Sequence, residues 1–300
     1  MEFLEFQWLH DLPSFKVALQ DTFGCSGQLL KRHYSSKDLN RSVSARDAVR
    51  IPLDLANHLM INPEYSGPQV KILGETADYL ILHKPPGVHC HPLKYSDSDT
   101  LLNFLVTEKK WEGLMVNREN YDRGLVYRLD YETSGVMLVA KTQSLYSSLR
   151  QSFNQSMKRK FYWAIVEGEF DREGSWTHYF KASGLKGSKQ KISEFPQGDA
   201  QEGSLEVRKV MSANGKSLLL INLGSGLRHQ IRAQLSGLDF PILGDELYGG
   251  RKADRLFLHA LRYEFEISIE DSCADLFDRF YDLDRALQVS HDMFSVFKSR

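Results

Sequence analysis

Arg128 and Asp130 stand two residues apart, and the polar turn Thr133-Ser134-Gly135 follows them. Alternate side chains of an extended segment point to one side, so the guanidinium and the carboxylate are predicted to emerge together. A carboxylate beside cations can act as a nucleophile or as a base. On these residues alone, an aspartate that caps a turn and an arginine in a surface ion pair explain the pattern more often.

The segment around Asp130 is one of four motif-like stretches that follow one another along the chain. They are residues 83–87 (His-Lys-Pro-Pro-Gly) with His91 and Pro92; residues 124–142 around Asp130; residues 159–168; and residues 225–232 with 241–249 and 256–260. In this order they resemble the motifs of the RluA-type pseudouridine synthases. The resemblance covers roughly residues 75 to 265.

The resemblance implies an α+β fold, the pseudouridine synthase fold, with a largely antiparallel mixed sheet and flanking helices. It also implies an enzyme that isomerises specific uridines to pseudouridine in structured RNA, either rRNA or tRNA. Asp130 would be the catalytic residue, Arg232 would pair with its carboxylate, and Tyr162 would stack on the extruded base. Arg128 would fill the space that the extruded base leaves in the base stack of the RNA. The chemistry of the family needs neither a metal ion nor an organic cofactor.

Two positions depart from the usual pattern of the family. Tyr127 stands where the family usually has histidine, and Gly226-Leu227-Arg228-His229 replaces Gly-Arg-Thr-His. A non-catalytic RNA-binding protein that keeps the fold is therefore an alternative. Tyr127 and Leu227 favour this alternative, whereas the retained Asp130, Tyr162 and Arg232 oppose it.

Two basic clusters are candidates for RNA contact. Lys158, Arg159 and Lys160 are predicted to close an amphipathic helix, where they would meet RNA phosphates or only favour the helix C-terminus and solubility. Arg228 and His229 are predicted to begin a helix that runs from residue 228 to residue 235, whose N-terminus suits an anion. Arg232 would then share a face with Arg228.

The sequence fits a metal site and a dinucleotide-binding site less well than it fits an RNA site. His89, Cys90 and His91 could suggest a metal site, but alternating side chains of an extended loop point apart and no second ligand pair follows. Gly224-Ser225-Gly226 after a strand resembles the start of a dinucleotide-binding fingerprint. The third glycine position holds His229, which is too bulky for close helix packing.

The spacing of apolar residues predicts the elements around these motifs. Strands are expected at residues 70–73 and 79–82, joined as a hairpin, at 136–140 and at 217–223. Leu145, Leu149, Phe153 and Met157 repeat every fourth residue and predict a helix. Residues 181–203, rich in glycine, serine and lysine, are predicted to form a mobile loop or an irregular hairpin.

Two domains are expected, with a boundary in the proline-rich stretch that ends at residue 68. Residues 1–68 resemble a degenerate RNA-binding domain, with a short helix capped by Ser26 and a strand-like segment at 42–55; helix and strands packed on the catalytic domain are the alternative. Residues 69–300 form the catalytic domain. Its acidic C-terminal helix is predicted from Leu276, Phe280, Leu283 and Leu287.

Composition limits the partners. The net charge is −1, but residues 264–300 carry nine acidic and four basic side chains, which leaves the preceding chain at +4. This distribution is compatible with RNA binding.

The absence of a long apolar run predicts no membrane segment and a cytoplasmic protein. Three scattered cysteines argue against disulfides and structural zinc. We expect a monomer with an RNA substrate and no metal.

Overall fold

The computed structural model describes residues 2–23, 25–118, 120–155, 159–265, 267–271, 288–290 and 293. Leu276, Phe280, Leu283 and Leu287, on which the predicted acidic helix rests, lie outside these residues. Met157 and Lys158 lie outside them too.

The first sixty residues form a small layer of their own. Its elements are β1 (Phe3–Gln7), α1 (Phe15–Phe23), α2 (Gly27–His33), α3 (Ser36–Asn40), β2 (Ala48–Pro52) and α4 (Leu53–Leu59). Strands β1 and β2 pair antiparallel. Ser26 caps α2 as predicted, since its hydroxyl accepts the N–H of Leu29. The strand-like segment is shorter than predicted, because a helix begins directly after Pro52.

A ten-stranded sheet forms the rest of the described chain. Its strands are β3 (Lys71–Glu75), β4 (Tyr79–Lys84), β5 (Ser134–Ala140), β6 (Arg159–Glu167), β7 (Gly174–Ser183), β8 (Lys189–Ser193), β9 (Gln201–Ala213), β10 (Lys216–Leu223), β11 (Leu258–Glu264) and β12 (Ser268–Glu270). The strand order is β3-β4-β5-β11-β6-β10-β9-β7-β8, with β12 beside β11. Among the described strands, only β5 and β11 pair in parallel.

Four helices accompany this sheet: α5 (Leu101–Thr107), α6 (Trp111–Met115), α7 (Gln143–Gln155) and α8 (Gln230–Gly237). The architecture confirms the predicted α+β class with a largely antiparallel mixed sheet. The hairpin of β3 and β4 and the helix α7 are also as predicted. None of the helices within the described ranges is long and apolar enough to cross a membrane.

Two local predictions are wrong. Arg159 and Lys160 do not close α7 but begin β6, where their side chains alternate across the strand. Helix α8 begins at Gln230, so Arg228 lies in the preceding turn and shares no helix face with Arg232. The strand predicted at 217–223 is present as β10; it is antiparallel to both of its neighbours, which excludes the parallel sheet of the disfavoured dinucleotide-binding alternative.

The central strands approach each other closely where the candidate catalytic loop enters the sheet. Gly135 pairs with Ala260 of β11 and has φ +137. A Cβ atom on Gly135 would overlap the carbonyl oxygen of Ala260, so only glycine fits. All residues of β5 are buried. The loop that ends at Thr133 is thereby fixed to the middle of the sheet.

Candidate active site

A cavity of about 1190 Å³ opens where the loop around Asp130 meets the ends of β6 and β10. Its walls come from residues 89–93, residues 127–133 and the turn at 223–232. Cationic and polar groups dominate these walls, among them Arg128, Arg150, Lys160 and Arg228. The cavity therefore suits an anionic ligand with a flat polar part.

Asp130 lies on the floor of this cavity. Its side chain retains 28% exposure, so a ligand in the cavity can reach it. Asp130 Oδ2 lies 3.9 Å from His229 Nε2 and 4.0 Å from an Nη atom of Arg232. Burial raises the pKa of Asp130 above the ordinary range of an aspartic acid, and the positive charges of His229, when it is protonated, and of Arg232 oppose that rise. A carboxylate in this setting is partly desolvated and suited to act as a nucleophile or base.

Arg232 has a nearer carboxylate than Asp130. Its guanidinium binds Asp245 through two hydrogen bonds of 2.8 Å, and the side chains of both residues are buried. A third nitrogen lies 3.3 Å from Glu132 Oε2. The ring of Tyr248 lies 5.4 Å from the guanidinium carbon. Asp245 thus holds Arg232 in place, and the Nη atom that contacts Glu132 is also the one that faces Asp130.

Lys84, at the end of β4, is completely buried and anchors the same loop. Its ammonium group donates to the carbonyl oxygens of Pro85 at 3.1 Å, Tyr131 at 3.1 Å and Thr133 at 2.8 Å. Burial lowers the pKa of Lys84 to about 8. Three backbone acceptors satisfy its three donors, so Lys84 fixes the path of the chain on the carboxyl side of Asp130.

Arg128 lies at the mouth of the cavity with 59% of its side chain exposed. One of its Nη atoms lies 3.6 Å from Asp122 Oδ1, and His91 Nδ1 lies 3.1 Å from the same oxygen. His89 packs its ring on Tyr131 at a centroid distance of 4.4 Å. The segment that contains His89 and His91 forms a wall of the cavity. Within the described residues, no group of three or more His, Cys, Asp and Glu side chains is placed to hold a metal ion.

Tyr162 of β6 lines the cavity with 6% of its surface exposed. Its hydroxyl is hydrogen-bonded to that of Tyr263. Tyr127, the first departure from the usual motif, packs its ring on Tyr263 at 4.2 Å and nearly parallel, and its hydroxyl donates to the carbonyl of Val136. Tyr127 therefore belongs to an aromatic stack beneath the cavity, with its polar atom satisfied in the core.

The remaining predicted RNA contacts separate into different environments. Lys160 is buried and donates to the carbonyl of Ser225, and burial lowers its pKa to about 8. Arg159 is half-buried at the first position of β6. Arg228 donates to the carbonyls of Gly187 at 3.0 Å and Ser188 at 3.5 Å, which join β7 to β8. Of the described residues in the two predicted clusters, Lys160 is therefore buried, whereas Arg228 is exposed.

Several residues of the site escaped the sequence interpretation. Lys84, Asp245 and Tyr248 lie inside the recognised motifs. Charged residues such as Lys84 and Asp245 are usually exposed to solvent, so the sequence alone predicts no buried role for them. Asp122 and Arg150 lie outside the quoted motifs. The only feature of the sequence that Asp122 and Arg150 share is their place before or after a predicted buried element.

Comparisons with known proteins agree with the motifs. The family described as RNA pseudouridylate synthase matches residues 78–237. A protein named ribosomal large subunit pseudouridine synthase D from Borreliella burgdorferi is 31% identical over 234 residues, which cover 76% of this chain and 71% of that protein. An RNA pseudouridine synthase of Bacillus subtilis named YhcT and described as uncharacterized is 30% identical over 276 residues, 88% of this chain and 87% of the relative.

The fold has a solved counterpart. A human protein named RNA pseudouridylate synthase domain containing 1 superposes with a TM-score of 0.54 at 20% identity, over 77% of this chain and 96% of that one. The family match spans over half of the 300 residues, and two relatives are at least 30% identical over most of their length. The chain belongs to the RNA pseudouridylate synthase family and is an RNA pseudouridine synthase, an isomerase, as its four ordered motifs predicted.

Proposed function

We propose that this enzyme isomerises uridines of large-subunit ribosomal RNA and that Asp130 is its catalytic residue. The choice of RNA rests on the relatives named ribosomal large subunit pseudouridine synthase D, among them those of Borreliella burgdorferi and Zymomonas mobilis. The single observation that carries the role of Asp130 is its carboxylate on the floor of a basic cavity, within 4.0 Å of both His229 and Arg232.

The reaction needs no change of oxidation state. The bond between N1 of uracil and C1′ of ribose breaks, and a bond between C5 and C1′ forms. C5 then loses its proton and N1 gains one, so that substrate and product have the same composition. The ionised carboxylate of Asp130 assists breakage of the N1 to C1′ bond, where positive charge develops on the sugar.

Access to the base requires that the uridine leave its helix, which costs a few kcal/mol. Arg128 is exposed at the mouth of the cavity and is placed to occupy the vacated stack. Tyr162 lines the cavity and is placed to meet the ring of the extruded uracil. Arg228 and His229 also line the cavity, where they support contact with RNA phosphate or sugar groups.

Substitution of Asp130 by Asn tests the proposal, because it keeps the shape and removes the charge. We expect pseudouridine formation in a single-turnover assay to fall by at least about a thousandfold, while RNA affinity and the melting temperature stay close to those of the parent. Asp239→Asn, an exposed carboxylate after α8, is the matched control. The RNA is identified by mapping pseudouridines in cells with and without the protein. An Asp130→Asn variant as fast as the parent would refute the catalytic assignment.

The proposal also covers the organisation of the chain. Residues 1–68 form a separate RNA-binding domain; in support, twelve buried apolar residues between Trp8 and Ala56 make a core cluster distinct from that of the sheet. Polar contacts join the domain to the catalytic body, among them those of Arg118 with the carbonyl of Asp21 and of Asn103 with the carbonyl of Asn62.

The enzyme acts as a monomer in the cytoplasm. Cys25 and Cys90 are buried free thiols, which fits a reducing compartment. Sedimentation at micromolar concentration should give the mass of one chain.

A further inference from the structure

Tyr248 connects three parts of the site. Its hydroxyl accepts the backbone N–H of Gln190 in β8 at 2.8 Å and lies 3.2 Å from His229 Nδ1. Its ring meets the imidazole of His229 edge-on at 5.7 Å, and the guanidinium of Arg232 lies over the same ring. Tyr248 itself does not line the cavity wall beside Asp130, so any effect on the reaction passes through its neighbours.

The hydrogen bonds of Tyr248 bear on which nitrogen of His229 carries the hydrogen. The backbone N–H of Gln190 can only donate, so the hydroxyl oxygen accepts there. The hydroxyl hydrogen is available for donation to His229 Nδ1, which accepts it when the imidazole carries no hydrogen at that nitrogen. Burial lowers the pKa of His229, which keeps the imidazole neutral at neutral pH. A neutral imidazole that accepts at Nδ1 carries its hydrogen on Nε2.

His229 Nε2 is the atom that faces Asp130. The distance to Asp130 Oδ2 is 3.9 Å, and contacts of this kind are often long in free enzymes and shorten on substrate binding. The backbone of His229 is left-handed, with φ 54 and ψ 22, a conformation that costs a non-glycine residue about 1 kcal/mol or more. This conformation persists because the surrounding contacts hold it, and it directs the imidazole between Tyr248 and Asp130.

We propose that Tyr248 is a positioning residue for the isomerisation: its hydroxyl fixes His229 in the tautomer that offers Nε2–H to the carboxylate of Asp130. The inference rests on the proposed catalytic role of Asp130 and deepens it. The same hydroxyl also accepts from β8, so the position of the β7–β8 hairpin and the orientation of His229 depend on one atom.

Other charged and titratable groups also act on Asp130. Besides His229, they are Arg232 and Arg228 from the region of α8, Glu132 from its own loop, Lys84 from the end of β4, Tyr162 from β6 and Tyr248 itself. Apart from Tyr248, none of these groups is altered in a Tyr248→Phe variant, which keeps the ring under Arg232 and removes only the hydroxyl.

The first test is the pH profile of single-turnover pseudouridine formation. A donor to a carboxylate lowers its pKa, so loss of the donor raises it. For Tyr248→Phe we expect the acid limb of the rate to move to higher pH by roughly half to one unit, the shift that loss of one hydrogen bond produces. RNA affinity should stay within about twofold. Tyr179→Phe, which removes an exposed hydroxyl from β7, is the control and should leave the profile unchanged.

A double-mutant cycle tests whether Tyr248 acts through His229. In His229→Asn the amide cannot reach Asp130, and Asn tolerates the left-handed backbone. In His229→Gln the amide nitrogen approaches the position of Nε2 and should recover part of the rate. Tyr248→Phe should change the acid limb little in the Asn background. Fully additive effects, or a Tyr248→Phe variant with the parental profile, would overturn the proposal.

Nitrogen NMR of the labelled parent enzyme gives a measurement that needs no variant of Tyr248. The signal of His229, assigned by its loss in His229→Asn, should show a neutral ring protonated at Nε2. A ring protonated at Nδ1 contradicts the proposal even if Asp130→Asn is inactive. Conversely, an active Asp130→Asn variant with the expected tautomer would refute the catalytic role of Asp130 and leave the hydrogen-bond assignment standing.

Discussion

The floor and the rim of the cavity use the same kinds of charged side chain in opposite ways. The floor, which we define as Lys84, Asp130, Arg232 and Asp245, holds buried charges, except that the side chain of Asp130 keeps 28% exposure. The rim, which we define as Arg128, Arg150 and Arg228, holds exposed or partly exposed guanidinium groups. The side chain of Arg232 is 3% exposed and makes two hydrogen bonds to Asp245. The side chain of Arg128 is 59% exposed, and one of its Nη atoms lies 3.6 Å from Asp122 Oδ1.

This difference gives the two regions different roles: the floor positions the atoms of the site, and the rim attracts an anionic partner. Buried charges interact strongly and cannot be left unpaired, so the floor fixes the positions of atoms. Exposed charges are screened and contribute little to stability, but they attract an anionic partner over several ångströms. We therefore expect substitutions in the floor to change folding and catalysis, and substitutions in the rim to change RNA affinity and its salt dependence.

Arg232 should give the largest effect on stability. Arg232→Gln leaves Asp245 buried without its cation, and removal of one partner of a buried pair costs on the order of 3 to 5 kcal/mol. Arg232→Lys should recover only part of this loss, because an ammonium group cannot make the planar double contact. Urea denaturation and single-turnover rates check both variants. Arg128→Lys, on the rim, is the control and should stay within about 0.5 kcal/mol.

An Arg232→Lys variant as stable and as active as the parent would show that the double contact with Asp245 is dispensable. The distinction between floor and rim would then lose its strongest element.

Lys84→Met should have the next largest effect. The carbonyls of Pro85, Tyr131 and Thr133 lose their donor, at a cost of roughly 1 to 3 kcal/mol for buried groups left without partners. Because these carbonyls flank Asp130, the single-turnover rate should fall as well. Lys181→Met, an exposed lysine of β7, is the control.

The pH dependence of this loss has a definite sign. The pKa of Lys84 is lowered in the folded enzyme from 10.5 to about 8, so the unfolded chain binds more protons between these values. The contribution of Lys84 to the free energy of unfolding therefore rises with pH across this window. The advantage of the parent over Lys84→Met, measured by urea denaturation, should widen from pH 8 upward. A constant difference would mean that Lys84 titrates normally.

The sequence predicted the elements that follow regular apolar spacing, and it identified the site through its motifs. Strand β5, the β3–β4 hairpin and helix α7 follow from such spacing, and Asp130, Tyr162 and Arg232 all line one cavity. The ion pair of Arg232 was the weaker expectation, because its nearest carboxylate, Asp245, lies on a turn that no periodicity marks.

Other features could not be predicted for physical reasons. Lys160 is a buried lysine at the second position of β6, against the usual exposure of this residue type, which favours the end of a helix in the sequence. The start of α8 was placed two residues early because the left-handed backbone of His229 stops the helix there, and local propensity does not encode this conformation for histidine. Both features depend on tertiary contacts.

The rim should give the smallest effect, and only on binding. Arg128 and Arg150 both line the cavity and are exposed, so Arg128→Gln with Arg150→Gln should weaken RNA affinity and flatten its salt dependence. Removal of one cation that touches a phosphate reduces the slope of log affinity against log salt by about 0.7 to 0.9, which predicts a change of roughly 1.5 for the pair. Lys160→Gln is the informative control, because this lysine is equally cationic in sequence but donates to the carbonyl of Ser225 inside the protein. We expect it to lower stability and leave the slope nearly unchanged. If instead Lys160→Gln flattens the slope and the two arginines do not, the division between an anchoring floor and an attracting rim is misplaced, because a buried lysine would then be exposed to RNA during binding.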